Sequence, residues 1–226
     1  MNFRVILLVF VIFIFAAGFG FMSYSESLGV PLKQAYNDGK VTVVQNTTAG
    51  TVPHLVTVQN NGTRPVQVQK GDILRSNSSQ DVVVAEDKSV PQNSVTNVNV
   101  YCFEPVQKAV AGAKLQPSAT ASSQIKKIID NSNPSDIQNA TAAQLQIWVI
   151  VSGGNLNIYT GEPAALVSTQ GITFSKLRQE LSDAKSSVMT TFGVTSDGLK
   201  TLAGNTTSSG TGLNGITDWL KSSFGI

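Results

Sequence analysis

The chain has one cysteine, Cys102, and one histidine, His54, among its 226 residues. One residue of each type cannot build a disulfide framework, a zinc site or most catalytic triads. His54 begins an alternating apolar segment beside Pro53, which favours a surface or packing role over a ligand role. The acidic residues are scattered and show no pairing typical of a glycosidase. The sequence therefore predicts no metal site, no cofactor and no enzymatic turnover.

Cys102 is the residue that needs an explanation, because exported proteins usually either pair their cysteines or avoid them. It lies between Tyr101 and Phe103. A free cysteine is commonly a small buried hydrophobic residue, and such a role is one interpretation here.

Two short motifs occur in order along the chain, an aromatic-Cys-hydrophobic triplet and a hydrophobic-Gln-x-x-hydrophobic-Trp segment. Their residues are Tyr101, Cys102, Phe103, Gln144, Ile147 and Trp148. Together they resemble the two signatures of the thioester domains in surface adhesins of Gram-positive bacteria, or a related short exported domain of bacteria or archaea. The resemblance covers residues 100–150.

In that family the cysteine sulfur and the glutamine carboxamide condense, with loss of ammonia, to form an internal thioester. The resemblance implies that Cys102 is the sulfur donor, Gln144 the acyl donor and Trp148 a packing residue that excludes water. Gln146 is an alternative amide, although it points away from Gln144 on a helix. Such a thioester captures an amine or hydroxyl once per molecule, so the protein would be a covalent adhesin and not a turnover enzyme.

Alternating apolar and polar residues predict short strands in the first half of the chain. The first ordered run is expected at 41–45, and the predicted strands that follow cover residues 54–59, 66–69, 82–85 and 95–103. The turn residues at 60–63 predict a hairpin between the first and second of these strands. Short strands separated by Gly, Asn, Ser and Pro are typical of a sandwich. The predicted fold is α+β, an antiparallel, immunoglobulin-like β-sandwich followed by a helical part similar to a thioester domain.

The second half of the chain has helical periodicity. Helices are predicted at 122–130, at 140–151 with Asn139 as N-cap, and at 173–192, with a strand at 155–159 between the last two. A short final helix would contain Ile216, Trp219 and Leu220.

These patterns divide the chain into predicted regions. Residues 1–22 would be a signal or membrane anchor, 23–38 a linker, and 39–168 the sandwich with its helical insertion. A C-terminal helical region would follow at 169–226, with a Gly/Ser/Thr linker at 204–212.

The N-terminal segment from Val5 to Met22 carries no charge and follows Arg4. Its 18 residues lie between the length of a signal peptide core and that of a membrane span. An uncleaved anchor is slightly favoured, and it would hold the rest of the chain on the outer face of the membrane. The predicted location is therefore the extracytoplasmic face of the cell membrane, or secretion if the segment is cleaved.

Composition limits the partners. Only 13% of residues are charged and the net charge is +2, so there is no basic surface for nucleic acid. Five N-x-[ST] sequons are candidate glycosylation sites, although most would arise by chance in a chain rich in Asn, Ser and Thr. They lie at Asn46, Asn61, Asn77, Asn139 and Asn205.

The predicted function is that of an exported, membrane-tethered adhesin that bonds covalently to a surface protein or glycan of a host or neighbouring cell. The alternative is a non-covalent surface, envelope or interaction module with no thioester. A hydrolase is the weakest interpretation, because His54 lies in another segment from Cys102 and no base or orienting residue is evident.

Overall fold

Six antiparallel strands close into a barrel in the computed structural model of the chain, which describes residues 29–208. The strands are β1 (Val30–Pro31), β2 (Val41–Gln45), β3 (His54–Asn60), β4 (Val66–Val68), β5 (Asp72–Arg75), β6 (Val82–Val84), β7 (Lys88–Val90), β8 (Ser94–Cys102), β9 (Lys114–Ala121) and β10 (Thr207–Ser208). The helices are α1 (Leu32–Asn37), α2 (Ser123–Asp130), α3 (Ile137–Val151), α4 (Gly161–Gln170), α5 (Phe174–Phe192) and α6 (Gly198–Gly204).

The barrel order is β9-β2-β3-β8-β6-β5, and β5 pairs back onto β9. The closing pair aligns Asp72 with Thr120 and Arg75 with Gln116, with a register shift between Asp72 and Leu74. A sandwich would leave strands at the edges of two sheets, whereas here β5 has a partner on both sides. The predicted immunoglobulin-like β-sandwich is therefore wrong. Alternating apolar residues are the same in both folds, so the pattern alone did not distinguish them.

The predicted hairpin is also wrong. β3 pairs with β2 and β8, whereas β4 lies in a separate three-stranded sheet in the order β1-β4-β7. Residues 61–65 therefore carry the chain from the barrel to this small sheet instead of reversing it within one sheet. Alternation identified both strands but not their partners, because pairing is a long-range property.

Side chains alternate between two apolar clusters. Those inside the barrel include Leu74, Val82 and Val84, whereas Ile73 and Val83 face the cluster formed with the helices. This alternation on β5 and β6 follows the period-2 geometry of a strand, whereas Tyr101 and Cys102, consecutive residues at the end of β8, both face the cluster formed with the helices. The barrel interior is filled mainly by valine side chains, and the helices pack against its outer face.

The helix boundaries follow local capping signals. The Ser122 hydroxyl accepts a hydrogen bond from the Ile125 N–H at the start of α2, and Thr173 caps α5 in the same way. The predicted cap of α3 is wrong, because the side chain of Asp136 caps it and Asn139 lies inside its first turn. The predicted strand at 155–159 is absent.

The structure places helices and strands within the predicted regions, but it does not test where those regions begin and end. Residues 30–37, in the predicted linker, form β1 and α1. Helices on both sides of the predicted boundary at 168 share one apolar cluster with Leu166 and Leu177. Ile216, Trp219 and Leu220 lie outside the described residues.

The apolar N-terminal segment, Val5 to Met22, also lies outside the described residues. Within residues 29–208 no helix is long and apolar enough to cross a membrane. The prediction of a membrane partner held through an N-terminal helix therefore has no support from the described helices and is corrected here. The extracytoplasmic location stays a prediction.

Candidate functional site

Gln144 and Cys102, which the resemblance pairs through the sulfur, are in contact through the backbone of Cys102. The Gln144 Oε1 accepts a hydrogen bond from the Cys102 N–H at 2.7 Å, and its Nε2 donates one to the Cys102 carbonyl at 2.8 Å. The last pair between β3 and β8 is His54 with Val100, and Pro53 before it has no N–H to donate. The carboxamide therefore occupies the position where β3 would otherwise continue.

The thiol of Cys102 is fully buried and protonated. Burial raises its pKa well above the ordinary value, and the negative charge of Glu162 raises it further. The indole of Trp148 and the backbone and side chain of Glu104 make smaller contributions, and only the indole and the backbone oppose the rise. A cysteine acts as a nucleophile only as its thiolate. Cys102 is thus an apolar packing residue in the resting protein.

The other predicted supporting residues pack around this pair. Tyr101, Phe103, Ile147 and Trp148 are all buried in the cluster between barrel and helices. The Tyr101 hydroxyl donates to the Ser132 hydroxyl at 3.0 Å. Gln146, the alternative amide, is partly exposed, and its Nε2 donates to the Ser187 hydroxyl at 3.3 Å. Only Gln144 is therefore buried against Cys102.

A buried contact between a histidine and a glutamate, which the sequence did not predict, joins the barrel to α4. His54 Nε2 lies 3.4 Å from Glu162 Oε2, and both side chains are 1% exposed. The same carboxylate accepts hydrogen bonds from the Gly50 N–H at 2.8 Å and from the Ala109 N–H. Two stretches of chain distant from Glu162 in sequence, residues 50–54 and the loop at Ala109, are thereby fixed to one side chain.

The acidity of Glu162 reflects these contacts. Burial alone would raise its pKa, but the hydrogen bond and charge of His54, with the Gly50 and Ala109 N–H groups, lower it below the ordinary value. A carboxylate that accepts several N–H bonds is stabilised in its charged form. Glu162 is therefore ionised at neutral pH despite its burial.

Thr47, His54 and Glu162 stand in the order of a catalytic triad. Thr47 Oγ1 lies 2.9 Å from His54 Nδ1, and it also accepts hydrogen bonds from the Leu55 N–H and the Gln45 Nε2, each at 3.1 Å. Its hydroxyl hydrogen therefore donates to His54 Nδ1, which leaves the Nε2–H of His54 to face Glu162.

This geometry does not make Thr47 a nucleophile. Both lone pairs of Oγ1 accept hydrogen bonds, so neither is free to attack a substrate. The His54 ring is buried, with both nitrogens engaged. The triad-like arrangement has a structural role. We call this buried hydrogen-bonded cluster of Thr47, His54 and Glu162 the knot.

Gln80 is a second buried polar residue near the same end of the barrel. It is fully buried two residues before β6, and neither its Oε1 nor its Nε2 has a hydrogen-bond partner within residues 29–208. Its neighbour Ser79 accepts a hydrogen bond from the Val110 N–H, in the loop that also contacts Glu162. An unpaired buried amide lowers the stability of the fold. Packing alone therefore does not explain why a glutamine occupies this position.

A groove of about 830 Å³ opens beside the knot, between α3, α5 and the loop before β3. Its apolar lining is Val52, Ile137, Ala142, Leu145, Ile172 and Ala184. Its polar lining is Thr51, Gln138, Thr141, Gln146, Thr169, Gln170, Lys176, Glu180, Asp183 and Ser187.

Gly50 connects the groove to the knot. It lines the groove and donates its N–H to Glu162. Its φ of +80°, together with a Cβ position only 2.5 Å from the Ala165 carbonyl and the Thr169 Oγ1, excludes other residues. The carboxylate of Glu162 therefore fixes one wall of the groove.

The five sequons lie on the surface. Asn46, Asn61, Asn77, Asn139 and Asn205 are all exposed. Exposure is required for glycosylation but does not show it, so modification stays a prediction. No group of three or more His, Cys, Asp or Glu residues within 29–208 is arranged to hold a metal ion.

Neither the curated proteins nor the solved structures include a match to this chain. A family model does match, over residues 8–196, and its description is the ARG and Rhodanese-Phosphatase-superfamily-associated Protein domain, ARPP-1. This match contradicts the resemblance to adhesin thioester domains. The interpretation as an exported covalent adhesin with a host-surface partner is wrong for the same reason. The matched range spans most of the barrel and helices, and the chain belongs to the ARPP-1 domain family.

Proposed function

We propose that the chain is a non-catalytic binding domain whose groove holds a peptide segment of a partner protein. The observation that carries this proposal is the composition of the groove, in which amide and hydroxyl side chains surround an apolar floor. The volume of about 830 Å³ lies in the range of roughly 300–1,000 Å³ that is usual for binding sites.

The polar lining suits a peptide backbone. Gln138, Thr141, Gln146 and Gln170 each carry groups that donate and accept hydrogen bonds, as a peptide N–H and C=O require. The Gln146–Ser187 and Gln170–Thr141 hydrogen bonds, both 3.3 Å, are long enough to exchange for bonds to a ligand.

The charges in the groove favour a basic residue in the peptide. Lys176 lies 3.7 Å from Glu180, so its charge is already matched. Asp183 is exposed and accepts a hydrogen bond only from the neutral Gln179 among the contacts described. One negative charge thus remains in the lining, and complementary charge improves specificity and association rate.

The absence of turnover is supported by the state of the buried reactive groups. The Cys102 thiol is protonated, Thr47 has no free lone pair, and His54 is engaged at both nitrogens. The family description records an association with rhodanese-phosphatase-superfamily proteins, which supports a protein as the occupant of the groove.

Selection from a phage-displayed library of random dodecapeptides tests the proposal. Peptides enriched on the protein are expected to bind with a saturable fluorescence-anisotropy signal and to carry Lys or Arg. Ala142→Arg fills the groove from α3 and should weaken binding at least about tenfold. Ser186→Arg, at an exposed position of α5 outside the groove lining, is the matched control and should bind as the wild type does. Failure to enrich any peptide, or equal binding by both variants, would exclude the groove as a peptide site.

A further inference from the structure

A second pocket, of about 180 Å³, lies against a different stripe of α5 from the one that lines the groove. Arg178, Leu181, Ser182 and Lys185 form its α5 side. The end of α3 and the following turn form the other side through Val149, Ser152, Gly154 and Leu156. The acidic residues of α5 that face the groove, Glu180 and Asp183, do not line this pocket.

The pocket is positively charged. Arg178 and Lys185 both line it, no carboxylate does, and no ion pair among residues 29–208 includes either cation. The Arg178 guanidinium donates a hydrogen bond to the Tyr159 hydroxyl at 2.5 Å, which orients the guanidinium. Other lysines of the same region are neutralised, since Lys176 pairs with Glu180 and Lys200 with Asp197.

Glycine at position 154 brings the backbone close to one of these cations. A Cβ on Gly154 would lie 3.4 Å from Lys185 Nζ and 3.0 Å from Leu199 Cδ1. Its φ of +78° is the left-handed conformation that favours glycine. The ammonium group therefore lies beside Gly154 at the pocket wall.

We propose that this pocket binds a phosphate group, either free or carried by a small molecule with a short apolar part. A guanidinium presents a planar fork of donors that matches phosphate oxygens, and an ammonium adds a point charge. Ser152 and Ser182 supply hydroxyl donors at the rim, and Val149, Leu156 and Leu181 supply the apolar surface. This site is separate from the groove and does not depend on the proposed peptide binding.

The test is a titration of the ¹⁵N-labelled protein with inorganic phosphate at low ionic strength, followed by amide chemical shifts. Saturable shifts are expected at residues 152–156 and 178–185. The double variant Arg178→Gln/Lys185→Gln should weaken binding at least about tenfold, because charge-assisted hydrogen bonds carry most of the affinity. Lys176→Gln, on the same helix but in the groove, is the control and should leave the affinity unchanged.

Two further arms separate the sources of the signal. Phenyl phosphate should bind more tightly than inorganic phosphate through the apolar wall, whereas chloride at equal ionic strength should produce no saturable shift. Shifts spread over lysines outside the pocket, equal shifts with chloride, or full binding by the double variant would each overturn the proposal. The location of the shifts in the wild type decides the matter even if the double variant folds poorly.

Discussion

The carboxamide of Gln144 hydrogen-bonds to both backbone groups of Cys102, at 2.7 and 2.8 Å. It thereby acts as a one-residue extension of the barrel, supplied by α3. Because both Gln144 and Cys102 are fully buried, water cannot replace these two bonds when the side chain is removed. Gln144 therefore adds a specific polar link between α3 and the barrel to the apolar packing of the same helix.

Gln144→Ala should destabilise the protein by about 2–4 kcal/mol, since it leaves a buried N–H and C=O unpaired beside a cavity. Urea unfolding followed by circular dichroism measures the change. Gln146→Ala, two residues along the same helix and partly exposed, is the control and should cost less than about 1 kcal/mol. Equal effects of the two substitutions would contradict the structural role of Gln144.

Glu162→Gln should destabilise the protein by about 3–5 kcal/mol at pH 7, although the shapes of the side chains match. His54 Nε2–H, the Gly50 N–H and the Ala109 N–H all donate to this carboxylate. An amide presents its own NH₂ to at least one of these donors, which breaks the arrangement. Hydrogen exchange at Gly50 should accelerate, whereas Glu180→Gln, in an exposed pair, should leave it unchanged.

The pH dependence of stability isolates Glu162. Its pKa is lowered on folding, so its contribution is complete above the ordinary value of 4.5 and is lost as the pH falls through the folded pKa. Burial raises the pKa of Asp72, Asp81 and Glu104 and gives the opposite trend, but these groups are present in both proteins. The difference in unfolding free energy between wild type and Glu162→Gln should therefore shrink between pH 5 and the acid limit of folding. A constant difference would show that folding does not lower the pKa of Glu162.

Cys102 should not react with a thiol reagent such as Ellman's reagent while the protein is folded. Burial and the nearby charge of Glu162 keep its thiol protonated. In denaturant it should react with one equivalent at the rate of an ordinary thiol, and Gln144→Ala should accelerate the reaction under native conditions. The intact mass should equal that of the plain sequence, and a mass lower by one ammonia would contradict the neutral thiol.

Gln80→Met should stabilise the protein by about 1 kcal/mol. The Gln80 amide is buried with no partner within residues 29–208, and a side chain of similar shape removes its desolvation penalty. Thermal unfolding measures the effect, and Gln116→Met, at an exposed position of β9, should change stability by less than about 0.5 kcal/mol. A lower melting temperature for Gln80→Met would reveal a hydrogen-bonding role for this amide.

Local patterns in the sequence determined much of the secondary structure. Period-2 alternation predicted the strand at 54–59, because one face of it is buried. Helical periodicity predicted α2 and α5. Each of these signals comes from residues within a single element.

Tertiary structure alone decided the closure of the barrel, the knot and the groove. Strand pairing joins segments far apart in sequence, and nothing in the alternation of β5 indicates that it pairs with β9. Glu162 gave no signal because its partners Gly50, His54 and Ala109 lie 53 or more residues away in the sequence, and three of its contacts are made by backbone or ring N–H groups. The pKa of such a carboxylate depends on the N–H donors that the fold brings to it. No local pattern in a single sequence identifies those donors.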